Sequence, residues 1–154
     1  MLKRYSLILL IIFILIQFHR PGKTNPIVEG KSLQLPENIS SVVKRACYDC
    51  HSNETIWPWY TNISPISIYI VNHVNNGRKE VNFSEWQNYK LKRKLRKLKE
   101  IGDQLREGEM PLESYLKIHD EAKLSAEEIK MICDWTEIEK KNLEVSDSSN
   151  TPKQ

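Results

Sequence analysis

The sequence predicts an all-α fold: a small helical domain over residues 36–142 behind an N-terminal hydrophobic helix. Three observations carry this. Apolar residues recur at helical spacing, as in Ile39, Val42, Val43 and Ala46, and again in Leu91, Leu95, Leu98, Ile101 and Leu105. Two capping boxes, Ser84-Glu85-Trp86-Gln87 and Ser125-Ala126-Glu127-Glu128, mark helix starts. With 5 glycines in 154 residues and few alternating β-branched runs, little in the chain favours strands.

At the N-terminus, Lys3 and Arg4 precede an apolar run from Leu7 to Ile16, closed by Gln17-Phe18-His19-Arg20. A positive start and a short apolar core have the layout of a secretory signal. No small-x-small cleavage site follows. The expectation is therefore an uncleaved membrane anchor over 1–20, with a cleaved signal as the rival. A buried core helix would fit the flanking charges badly. Residues 21–35 mix Pro, Gly, Lys, Thr and Asn without periodicity and read as a linker.

Pro36-Glu37-Asn38 opens a helix that ends in Cys47-Tyr48-Asp49-Cys50-His51, a C-x-x-C-H motif. This is the attachment signature of c-type haem. Two thiols spaced by two residues reach two vinyl groups on one porphyrin edge. The adjoining imidazole can bind iron as the proximal ligand. A zinc site would need a second close ligand pair, and only the scattered Cys133, His73 and His119 are on offer. A redox dithiol would want a βαβ setting. A disulfide across so short a gap would be strained, and either thiol reading leaves His51 without a role.

Trp57, Trp59 and Tyr60, grouped around Pro58, can wall a flat apolar cofactor; ordinary core packing is the alternative. Ser64-Pro65 starts a helix with Ile66, Tyr69, Ile70 and His73 on one face and Gly77 as its stop. The Ser84 box opens a long helix to Glu107, with Gly108 beyond it. Its outer face carries Lys90, Lys92, Arg93, Lys94, Arg96, Lys97 and Lys99. That face is either simply solvated or a dock for an acidic redox partner or anionic lipid.

Met110 lies in the turn Gly108-Glu109-Met110-Pro111, where the following proline keeps it extended. It is the candidate distal iron ligand, because thioether sulfur favours ferrous iron. His73, His119 or an open site are the alternatives. Leu112 to His119 reads as a short helix. The Ser125 box starts the last helix, with Ile129, Ile132, Cys133 and Thr136 inward and Cys133 acting as a small buried residue. Residues 143–154 lose periodicity and are expected to be disordered.

Net charge +3 with 28% charged residues does not argue for nucleic acid. Three cysteines are too few for a disulfide scaffold. No Gly-rich phosphate loop or internal repeat is visible.

The run from Cys47 through Trp57-Pro58-Trp59-Tyr60, followed by Ile63-Ser64-Pro65, resembles the bacterial haem-binding domain family. So do the Trp86 segment, Gly108-Glu109-Met110-Pro111, and Tyr115-Leu116 through Leu124-Ser125. The likeness spans residues 30–140. It implies a small c-type-cytochrome-like fold and one covalent haem c. It also implies Cys47 and Cys50 as attachment points, His51 as proximal ligand and Met110 as distal ligand. Where such families place a second proline after Met-Pro, this chain has Leu112.

The function expected is one-electron transfer by an anchored domain on the periplasmic side of the bacterial inner membrane, with a cleaved, soluble periplasmic form as the alternative. Membrane contact would run through the N-terminal segment. An enzyme is not expected, since no distal acid–base set accompanies the motif. The alternatives are a peroxidase-like enzyme or ligand sensor with a displaceable distal ligand, and a thiol redox module.

Overall fold

A computed structural model describes residues 2–150. Among these residues all regular structure is helical, in the order α1 (Leu2–Ile16), α2 (Glu37–His51), α3 (Ile66–Glu80), α4 (Leu91–Arg106), α5 (Glu113–Leu116) and α6 (Ala126–Asn150). Short 3-10 turns at Trp59–Asn62, Phe83–Asn88 and Asp120–Ala122 link them.

Two helix pairs make the domain. α4 packs along α6, the most extensive contact in the fold, and α2 packs on α3. Leu98 and Ile132 meet in the core at 0% and 1% exposure. Around them lie Val42, Val43, Phe83, Trp86 and Leu105. The stripes expected on α2, α4 and α6 thus supply the core. On α3 the buried face is Ser67, Val71 and Val74 instead of the expected one, and Ile66 and Tyr69 are exposed. Ser67 goes inward because its hydroxyl pairs with that of Ser64 at 2.9 Å.

The two capping boxes part ways. Glu128 N–H donates to Ser125 Oγ, and Ser125 N–H donates to the Glu128 carboxylate at 2.8 Å, so the second box closes as expected. The first does not form. Ser84 Oγ accepts from Asn53 N–H at 2.9 Å, and Asn82 caps the turn by accepting from Ser84 N–H at 3.0 Å. The chain then extends through Tyr89 and Lys90, and α4 begins only at Leu91. A long-range demand for the serine hydroxyl overrides the local signal.

The N-terminal expectation needs correction. α1 has 15 residues, a rise of about 22 Å against about 30 Å of bilayer hydrocarbon. No helix among the described residues is long and apolar enough to cross a membrane. The single-anchor reading of residues 1–20, and the inner-membrane placement built on it, are overturned. Just past α1, Gln17 turns to the domain. Its side-chain amide donates to Ser64 O at 2.9 Å and accepts from Ser64 N–H at 3.0 Å.

The stretch 21–35 is held by side chains binding backbone. Arg78 donates to Thr24 O at 2.7 Å, and Asn53 donates to Pro26 O at 2.9 Å. Leu33 enters the core, and its N–H donates to Phe83 O at 2.8 Å. At the other end, α6 continues past residue 142 to Asn150. Residues 151–154 of the tail expected to be disordered lie outside the described residues.

Leu98→Ala would empty the tightest point between the helix pairs. We expect a loss of about 2–5 kcal/mol, read from urea unfolding followed by far-ultraviolet circular dichroism.

Candidate functional site

Cys47, Cys50 and His51 fall at i, i+3 and i+4 on the last turns of α2, so helical geometry places them on one face. That face lines a cavity of about 540 Å³, the size of a small-molecule site. Met110 lines it from the turn after α4, and Tyr115 from α5. Phe83, Ile132 and Trp135 supply apolar wall, and α4 adds Lys97, Ile101 and Leu105.

His51 is held in one tautomer. Its Nδ1 lies 3.0 Å from Gly77 O and 3.2 Å from Val81 O, at the C-terminal end of α3. Carbonyls only accept, so Nδ1 carries the proton and Nε2 keeps its lone pair. Burial pushes the imidazole below its ordinary value, with the two carbonyls opposing, so the ring is neutral. A neutral imidazole anchored through one nitrogen is what a metal ligand requires. Gly77 makes this approach possible. A Cβ there would lie 2.5 Å from Cys50 O.

Both motif thiols are free. Burial pushes Cys47 up to about 12 and Cys50 up to about 11. Activated dithiols need the opposite, a thiol lowered toward neutrality. This counts against the thiol redox module.

Asp49, between the cysteines, ties the motif to its surroundings. Its carboxylate accepts from Ile56 N–H at 2.9 Å and from Tyr115 O–H at 2.8 Å. Tyr115 stacks on His119, with centroids 4.3 Å apart. His119 Nδ1 lies 3.0 Å from the Glu121 carboxylate, and its Nε2 lies 2.7 Å from the Tyr60 hydroxyl. Burial, then Asp49, raises Tyr60 above the usual phenol value.

The structure thus brings Cys47, Cys50, His51 and Met110 to one cavity. It does not bring Trp57, Trp59 or Tyr60 there. Trp59 is 74% exposed, and Tyr60 serves His119. The aromatic wall comes from Phe83, Tyr115 and Trp135, which sequence reasoning did not select. Trp135, one turn from the inward Ile132 on α6, carried the only usable signal. Of the rival distal histidines, His73 lines the cavity, with Nδ1 bonded to Tyr69 O at 2.9 Å. Both nitrogens of His119 are engaged. The basic face of α4 is partly neutralised by its own acids: Lys99 pairs with Asp103 and Arg96 with Glu100.

Over residues 11–138 the chain matches the family described as Haem-binding domain. The chain belongs to this family. No curated protein and no solved structure matches it. Haem is therefore the cofactor that this haem-binding domain takes. The residues present fit it: an apolar cavity, a neutral imidazole with fixed tautomer, and two adjacent thiols on the same face.

Gly77→Ala should force α3 away from the end of α2. Overpacking of this kind costs about 1–3 kcal/mol, more than the gain in helix propensity of about 1 kcal/mol. Urea unfolding should show net destabilisation, and haem loading should fall. The depressed His51 value sets a second expectation. In haem-free protein the unfolded chain takes up this proton first. The stability His51 contributes is therefore present above pH 6.5 and lost as pH falls below it. His51→Gln should flatten that part of the unfolding free energy measured against pH.

Proposed function

We propose that this haem-binding domain carries one haem c and transfers single electrons. Cys47 and Cys50 would hold the haem through thioether bonds to its two vinyl groups, with a hydrogen placed on a vinyl carbon for each bond made. His51 and Met110 would hold the iron. The haem supplies a one-electron ferric/ferrous couple. The protein holds it, shields it from water and fixes the imidazole.

One observation carries the reading. His51, with its proton locked on Nδ1 toward two α3 carbonyls, shares a cavity with Cys47, Cys50 and Met110. A thioether from Met110 would favour the ferrous state of the iron. Such a domain suits electron exchange better than catalysis on a bound small molecule. The partner we infer is a redox protein with an acidic surface, docking on the exposed Lys90 and Lys92 at the start of α4.

Protein matured with the haem-attachment machinery should keep its colour after acidic acetone extraction. Its pyridine haemochrome should show the spectrum of a porphyrin with both vinyls saturated. Cys47→Ala should shift that spectrum toward a single thioether. The oxidised protein should show the weak far-red band of sulfur bound to ferric iron, and Met110→Ala should abolish it and open the iron to carbon monoxide. Colour lost to the solvent would end the covalent reading. Ready carbon monoxide binding by the unaltered protein would turn the function toward a sensor or peroxidase-like enzyme.

A further inference from the structure

We propose that Lys97 anchors a carboxylate arm of the haem. This rests on the haem reading above and extends it to the other end of the cofactor.

Lys97 is the one lysine or arginine among the described residues that line the cavity. Its side chain is only 7% exposed. An ammonium group is costly to bury without partners. Lys97 Nζ lies 3.0 Å from Glu80 Oε2 and 2.6 Å from Glu100 Oε2. Those partners are not buried with it. The Glu80 side chain is 76% exposed and that of Glu100 46%. The cation is thus fixed at the cavity wall while Glu80 stands largely in water and Glu100 about half so. A carboxylate there is released at little cost, and a buried ammonium is not.

The surroundings provide for such an exchange. Lys97 has three N–H donors and uses two. Arg96 also lies 3.7 Å from Glu100, so one of the two carboxylates already has a second cation. Arg93 Nε is buried without a hydrogen-bond partner. Glu80 and Glu100 meet Lys97 and Arg96 in this cluster, and the third Lys97 N–H is the donor left for a further acceptor.

Haem is a flat hydrocarbon body with two carboxylates on the edge opposite the vinyl groups. Cys47 and Cys50 on α2 would take the vinyl edge. A carboxylate arm would meet Lys97 where α4 enters the wall of the same cavity, beside Glu80. A purely structural ion pair would be indifferent to the ligand's carboxylates, and that difference can be measured.

Full-length protein made without the attachment machinery is titrated with ferric haem and, separately, with its dimethyl ester. Binding is followed by Soret absorbance and by quenching of tryptophan fluorescence. Unaltered protein should bind the free acid at least about tenfold more tightly than the ester, the worth of one charge-assisted hydrogen bond. Lys97→Met should remove that preference while leaving ester affinity unchanged, and Lys97→Arg should keep it. Glu80→Gln, at an exposed position, should leave the preference intact or increase it. It also serves as the deciding variant if Lys97→Met fails to fold. Equal loss of both ligands in folded Lys97→Met, an unchanged preference in it, or a preference lowered by Glu80→Gln would overturn the proposal. If unaltered protein takes up neither ligand, the haem reading itself falls.

Discussion

The contact between His51 and the end of α3 is the constraint on which the rest of the site depends. It joins the last residue of one helix to the two carbonyls that close the next. The Gly77 carbonyl also accepts from Val81 N–H at 2.9 Å, and both carbonyls lie where the helix ends. The imidazole donates to them and is itself oriented in return. Because α2 and α3 must touch at this point, a residue without a side chain stands at position 77, against the Cys50 backbone. The direction of α2, and with it of both thiols, follows from that contact.

The cavity grows out of the same arrangement. α2 and α3 form one side, α4 and α6 another, and the turn carrying Met110 closes toward α5. Apolar residues dominate the lining, but charge is confined to the rim near Glu80, Lys97 and Glu100, and to Asp49 within the motif. An amphipathic ligand therefore meets an amphipathic container. Asp49 also explains why the motif is not merely two thiols and a ring. Its carboxylate draws Ile56 and Tyr115 to α2, so the loop after the motif and the segment after Met110 are positioned from one residue.

Much of this was legible in the sequence, for identifiable reasons. Helical periodicity is local, so the stripes of α2, α4 and α6 were readable. The Ser125 box closes within its own turn and behaved as its spacing says. The Cys47, Cys50 and His51 cluster is set by helix geometry alone. Features decided by distant partners were hidden. Ser84 was claimed by Asn53, some thirty positions away, and the long helix broke at Tyr89. Lys97 looked like one more charge on a solvated face. It is buried in the cavity wall and pairs with Glu80 on a different helix, which no local pattern reveals. Trp57, Trp59 and Tyr60 have the composition of a cofactor wall but sit outside it, whereas Phe83 and Trp135 arrive from separate elements. The apolar run at the start of the chain was long enough to suggest a membrane and too short to cross one.

The tether from Gln17 to Leu33 has a bearing on where the folded unit begins. It clasps Ser64 beside α3, reaches the loop after the motif through Pro26, and inserts Leu33 under Phe83. A fragment started at Pro36, the visible onset of helical pattern, would keep every candidate haem ligand and yet lose this clasp. The packed domain accordingly reaches further forward than the periodic part of the chain, back to the bonds between Gln17 and Ser64.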